Sequence, residues 1–219
     1  LDGKGPIDAQ DLKALVLIVL EEIAADMQPS PHNPWKLFWD NKAPKVENDC
    51  RDVLAGKLRD KLGYFGSFEV LCEAASTGGT RADMLITHGN LAVPIEAKRT
   101  NHSHLWYGHS GQLQTYSLAN STAGQGIYVI FWFGKVLGVT LPPAGPKPTT
   151  AEALKAALEN HLPPELVTTT SVLVLDVSDA AKAAKLRKNS DRDEARASKA
   201  RAPKKTGSRG AAADSTPGK

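Results

Sequence analysis

The stretch Phe68–Arg99, FEVLCEAASTGGTRADMLITHGNLAVPIEAKR, constrains the fold most, because it reads as three short strands joined by tight turns. The first strand, Phe68–Cys72, ends at Glu73 and leads into a Ser/Thr/Gly turn. The second begins near Arg81 and carries Asp83; a His-Gly-Asn turn follows, and the third runs Leu91–Lys98. Apolar, β-prone runs punctuated by Gly and Asn are the pattern of consecutive hairpins. Side chains alternate along a strand, so Glu96 and Lys98 share one face while Ile95 and Ala97 share the other. Pro94 has no N–H for the ladder, which predicts an edge, a bulge or an irregular pairing there.

The flanking segments supply the helices and strands needed to cover such a sheet. Ile7–Met27 reads as a helix capped by Asp8, with Ile7, Leu12, Leu15, Val16, Val19, Leu20 and Ile23 on its apolar face, and Pro29-Ser30-Pro31 ends it. In the aromatic-rich connector that follows, Trp35, Phe38 and Trp39 are spaced to pack that helix onto the core; Lys36 and Lys42 among them also suit a nucleic-acid surface. Val46–Leu62 is a second helix whose core stripe is Val46, Cys50, Val53, Leu54, Leu58 and Leu62. A third helix is expected from about His104 to just before Gly124. Gly126–Gly134, almost wholly apolar, reads as a central strand buried on both faces. After the linker LPPAGPKPTT, a short helix over Ala151–His161 precedes one more buried strand, Ser171–Val177. The fold class implied is α/β: a central mixed sheet flanked by helices, in the order helix–strand–strand–strand–helix–strand. The boundaries are 1–44 for the N-terminal helix and connector, 45–178 for the main domain, and 179–219 for a basic tail.

At 219 residues and 41% hydrophobic content, the chain can build one sizeable core with appendages. The net charge of +3 conceals an asymmetry: from Ala180 onward there are twelve Lys/Arg and four Asp/Glu, leaving fifteen basic and twenty acidic residues before it. The tail lacks aromatics, so its composition predicts disorder, with a choice between non-specific phosphate contacts and a solubilising linker. Cys50 and Cys72 sit in apolar patterns, which suits buried thiols in a reducing compartment better than a disulfide. No stretch of the sequence reads as a secretory leader, apolar runs such as Ala14–Leu20 are far shorter than a membrane span, and the first residue is Leu rather than Met. The expectation is a cytoplasmic domain with no membrane partner, cut from a longer chain.

The chemistry-bearing set is Asp83, Glu96 and Lys98. Two carboxylates at neighbouring strand ends can share a hard divalent cation such as Mg²⁺, which prefers oxygen ligands and keeps several waters. A lysine on the same face can orient an attacking water or stabilise charge on a phosphate. Asp83, then Glu96-Ala97-Lys98 after twelve intervening residues, resembles the metal-dependent PD-(D/E)xK nuclease superfamily, the restriction-endonuclease-like fold, with Ala82-Asp83 in place of its Pro-Asp dipeptide. Together with Glu-Asn-Asp-Cys-Arg-Asp on the second helix, Gln-Leu before Tyr, and Gly126–Gly134, the pattern is similar to one bacterial branch often found as the C-terminal domain of larger proteins. The resemblance covers about Lys45–Gly134. It implies an Mg²⁺-dependent nuclease, an endonuclease in the family's terms with DNA as the implied substrate, in which Mn²⁺ substitutes. Asp83 and Glu96 would hold the metal, with the Ala97 carbonyl as a further ligand, and Lys98 would assist water attack.

Glu47, near the start of the second helix, has two readings. It is either a favourable charge at a helix N-terminus paired with Arg51 one turn later, or, as the resemblance implies, an acid completing the metal shell. Glu73 is either a solvated strand-end charge or a substrate-side acid. Gln112 and Tyr116, one turn apart, resemble the Gln-x-x-x-Tyr motif that follows the catalytic lysine in several branches, where the glutamine supports the site or a phosphate and the tyrosine packs beside it. His102, His104 and His109 lack a regular metal spacing, so zinc is the least favoured reading, behind ordinary loop residues and contacts to DNA. A non-enzymatic nucleic-acid- or protein-binding module is the alternative to a nuclease. A homodimer is compatible with cutting paired strands, although no surface for one is evident.

Overall fold

The computed structural model describes residues 5–27, 32–75, 81–118 and 120–178. The expected basic tail, the Pro-Ser-Pro stop and the Thr-Gly-Gly-Thr turn lie outside these residues. Helix α1 (Ala9–Asp26) starts where Asp8 accepts the backbone N–H of Asp11 at 2.8 Å, and it buries Leu12, Leu15, Val16, Val19, Leu20 and Ile23; Ile7, expected on that face, lies ahead of the cap and is exposed. A five-residue 3₁₀ turn, Pro34–Phe38, drives Trp35 and Phe38 into the core, and a two-residue hairpin pairs β1 (Trp39–Asp40) with β2 (Ala43–Pro44). Trp39 is anchored by its indole N–H, which donates to the Val177 carbonyl at 2.7 Å. Helix α2 (Glu47–Leu62) has Glu47 and Asp49 in its first turn and Arg59 and Lys61 in its last, both complementing the helix dipole. Val46, expected to open its core stripe, is the exposed residue ahead of the first turn, so the stripe begins at Cys50.

The five-stranded sheet has the order β3-β4-β5-β6-β7, built from β3 (Glu69–Ala75), β4 (Arg81–His88), β5 (Leu91–Arg99), β6 (Gly126–Trp132) and β7 (Thr170–Asp176). The pairs β3–β4 and β4–β5 are antiparallel, while β5–β6 and β6–β7 are parallel, so the sheet is mixed. The short helix α3 (Gln114–Ser117) lies in the crossover from β5 to β6, and α4 (Ala151–Asn160), capped by Thr150, lies in the crossover from β6 to β7.

Alternation divides the buried residues into two cores. Ile95, Ala97, Ile127, Val129 and Phe131 pack against α1 and α2, whereas Tyr128, Ile130 and Trp132 meet Leu105, Trp106, Leu113 and the Leu154 and Leu158 side chains of α4. Every residue of β6 is buried, as its unbroken apolar run requires of a strand covered on both faces. Pro94 is not at a sheet edge. It lies in the central strand opposite Leu85, one residue ahead of Ile95, where pairing with β6 begins, so the residue without an N–H stands just outside that ladder.

The helix expected from His104 onward is broken. Turns lead into one π-helical segment (His109–Leu113), four α-helical residues (α3) and a 3₁₀ turn (Asn120–Thr122). Close packing explains part of this. A Cβ on Gly108 would fall 2.7 Å from the Tyr128 hydroxyl, so the backbone comes down onto β6 as it enters the helix. Among the described residues, no helix is long and apolar enough to cross a membrane.

Candidate active site

The β4–β5 ladder stops at the Met84–Ile95 pair, and the two strands fork beyond it. Asp83 and Glu96 are the next residues into that fork. Asp83 spans it with its side chain: Oδ2 accepts the Ala97 N–H at 2.8 Å, so a carboxylate does what a backbone carbonyl does further along the ladder. Glu96 and Lys98 share a face, as alternation requires, and both are buried; Glu96 is fully enclosed.

Lys98 Nζ gathers three acids from three elements. It lies 2.5 Å from Glu96 Oε1, 3.4 Å from Asp83 Oδ2 and 3.5 Å from Glu47 Oε1, and it also donates to the Ala97 carbonyl at 3.3 Å. Glu47 reaches this point from the first turn of α2, where its Oε2 accepts the Arg99 N–H at 2.9 Å. The helix-start pairing of Glu47 with Arg51 does not form. Arg51 turns instead to Asp52 and to Glu73, both within 2.9 Å.

Burial is the main force on the Glu96 carboxyl, which it pushes up to about 7; the Asp83 charge adds to the rise, and Lys98 opposes it. Burial also works against the Lys98 ammonium, but the charges of Glu96, Asp83 and Glu47 prevail and hold its pKa above the usual lysine range. Among the described residues, Glu96 Oε2 has no hydrogen-bond partner in its enclosed position. A buried carboxylate oxygen without a partner is costly unless a cation or a proton meets it.

That orphaned oxygen is the test of whether a divalent cation fits. Three carboxylates face a single ammonium, their donor atoms are all oxygen, and the Ala97 carbonyl adds a fourth. This chemistry suits Mg²⁺ or Mn²⁺ with waters filling the remaining positions. Among the described residues, no three His, Cys, Asp or Glu side chains converge as a ready-made cage, and the three acids each lie within ion-pair distance of the Lys98 ammonium instead.

The remaining candidates take supporting positions. The Tyr116 hydroxyl donates to the Arg81 carbonyl, two residues before Asp83, and Gln112 lies near that hydroxyl from an exposed position. Glu73 lies inside β3 rather than at its end. It adopts a left-handed backbone (φ 52°) between the Cys72–Met84 and Ala74–Ala82 pairs, across from Asp83, and links Arg51 to Arg81 at 3.7 Å. The histidines do not gather. His102 comes within 3.9 Å of Glu47 Oε1, His104 stacks edge-on to His102, and His109 is buried in the second core beside Tyr128 and His161. Sequence reasoning left His102 undifferentiated from its neighbours, and its only signal was its place four residues after Lys98. Cys50 and Cys72 are free thiols, Cys50 buried as expected but Cys72 only half-buried, and burial raises the Cys50 thiol to about 12.

A family model described as "Domain of unknown function (DUF8371)" matches residues 27–135, a little under half of the chain. The match spans α2 through β6 and contains all three acids and Lys98. No curated protein and no solved structure matches the chain.

Proposed function

We propose that the chain is a metal-dependent nuclease of the PD-(D/E)xK type, with a restriction-endonuclease-like core formed by α2, β3, β4, β5, the crossover and β6. The observation that carries this reading is the convergence of Asp83, Glu96 and Glu47 on Lys98 at a strand fork, with one buried Glu96 oxygen unmatched among the described residues. Few structural roles need three acids and a buried lysine in one place, because each desolvated charge costs stability unless paired.

In this reading Asp83, Glu96, Glu47 and the Ala97 carbonyl would hold Mg²⁺, with Mn²⁺ able to substitute. The metal supplies an acidified water and a positive charge beside the scissile phosphate. The chain's own residues do the rest. The Ala97 N–H fixes the Asp83 carboxylate, and the Arg99 N–H fixes Glu47, so both acids face the fork without rearrangement. Lys98, kept cationic by its three acidic neighbours, orients the attacking water and offsets charge building on phosphate oxygens. DNA is the proposed substrate, and other domains of a longer parent chain are proposed partners.

The test is cleavage of supercoiled plasmid and of linear single-stranded DNA in Mg²⁺, Mn²⁺ or EDTA, with Asp83→Ala alongside. Metal-dependent cutting that the substitution removes is the expected result. Folded wild-type protein that binds DNA in a salt-sensitive manner, unaffected by Asp83→Ala and without cutting, would replace the nuclease with a binding module.

A further inference from the structure

The loop after β5 places an imidazole beside the acids in a defined protonation pattern. The His102 N–H donates to the Arg99 carbonyl at 3.0 Å, and the His102 carbonyl accepts from Leu105 at 3.1 Å, so the turn folds back over the end of the strand. Within it, the backbone N–H of His104 donates to His102 Nδ1 at 3.0 Å. A nitrogen that accepts an N–H must offer its lone pair, so the proton of the neutral ring sits on Nε2. The Nε2 atom lies 3.9 Å from Glu47 Oε1, too far for a hydrogen bond, and the side chain is one-third exposed.

This arrangement separates two roles that a histidine at a metal site can play. A metal-bound imidazole ligates through one nitrogen and donates its N–H from the other. Here the second nitrogen accepts, so ligation through Nε2 would leave the ring with no proton at all. What His102 presents to the site is a donor. The acceptors that enter a nuclease site are phosphate oxygens, and most contacts that position a nucleic acid go to them.

We propose, on the basis of the nuclease reading, that His102 is a substrate-binding residue whose Nε2–H donates to a backbone phosphate oxygen of the nucleic acid held at Asp83, Glu96 and Glu47, and that it does not ligate the metal. A neutral donor meeting an anionic oxygen contributes roughly tenfold in affinity.

The experiment uses the full chain and three proteins: wild type, His102→Ala and His102→Gln, whose amide N–H reaches about as far as Nε2. Mn²⁺ binding is measured by calorimetry. Binding of short fluorescein-labelled single-stranded and duplex DNA is measured by anisotropy in Ca²⁺, and KM and kcat in Mg²⁺. His102→Ala is expected to weaken DNA binding and raise KM about tenfold, with Mn²⁺ affinity unchanged within about twofold, and His102→Gln is expected to recover most of the loss. A comparable fall in Mn²⁺ affinity would make His102 a ligand and overturn the proposal. Unchanged DNA binding and KM in His102→Ala, or a glutamine no better than alanine, would also overturn it while leaving the nuclease intact. A wild-type protein that neither binds labelled DNA nor cuts it with metal would instead bring down the nuclease reading, and the role of His102 with it.

Discussion

The two faces of the sheet are built to different ends. On the face covered by α1 and α2, the strands contribute Ile95, Ala97, Ile127, Val129 and Phe131, an apolar surface packed against apolar helices. On the other face the same two strands contribute Glu96 and Lys98 beside Tyr128 and Ile130, and His109 is buried there as well. One-residue alternation along β5 is all that separates them. The first face makes the fold stable, and the second accepts buried charge that a fold alone has no use for. Substitutions should therefore act oppositely on the two faces.

The largest effect is expected on the apolar face. Phe131 is fully buried and stacks against Phe38 at 5.6 Å, so Phe131→Ala should cost about 3–5 kcal/mol in urea unfolding. A loss below about 1 kcal/mol would mean that this face is not the structural one.

Glu96→Gln should do the reverse. The folded-state carboxyl sits at about 7 against an ordinary 4.5, so the folded protein binds the extra proton between those values and stability falls as pH rises through them. At pH 8 in EDTA the ionised form carries its full burial cost, and Glu96→Gln should gain up to about 3 kcal/mol while losing all cleavage. Below pH 4.5 the gain should vanish. A glutamine variant that is less stable at pH 8 would show that the ion pair with Lys98 outweighs desolvation.

His109 tests the same face with the opposite sign. Burial, with the His161 charge adding to it, holds its ring at about 4, so the unfolded chain takes up a proton that the folded chain refuses as pH falls from 6.5. Between pH 7.5 and pH 5 the wild type should lose about 2 kcal/mol more than His109→Phe does. Parallel losses in the two proteins would mean that the ring is solvated after all.

Much of this contrast was legible in the sequence, because it follows from short periods. The three strands over Phe68–Arg99, the α2 stripe from Cys50 to Leu62 and the buried strand near Gly126 are where alternation and helical spacing put them, whereas Ile7 and Val46, each just ahead of its helix, are exposed rather than on the core face. Glu96 and Lys98 share a face for the same reason. Two things were not legible. The segment after His104 has helical composition, but Gly108 must pass close under the Tyr128 hydroxyl, a contact made by a strand some twenty residues later, and the helix breaks into π, α and 3₁₀ pieces. The link of Arg51 to Glu73 rather than Glu47 depends on a left-handed residue within a strand, which no local preference announces for glutamate. Both depend on long-range packing, which spacing does not encode.

Tyr116 offers the finest probe of how the charged face is supported. Its hydroxyl holds the Arg81 carbonyl at the start of β4, two residues from Asp83 and on the same side of the strand. Tyr116→Phe keeps the ring and removes that hydrogen bond, at a stability cost of about 1 kcal/mol. Asp83 keeps its other restraint, the Ala97 N–H at 2.8 Å, so its carboxylate should drift little. The expected result is a fall in kcat of only about threefold, less than 1 kcal/mol of transition-state stabilisation, with KM unchanged. A loss of a hundredfold or more would place the tyrosine hydroxyl among the reacting groups. An unchanged kcat would mean that the fork between β4 and β5, through the single bond from Ala97, positions Asp83 alone.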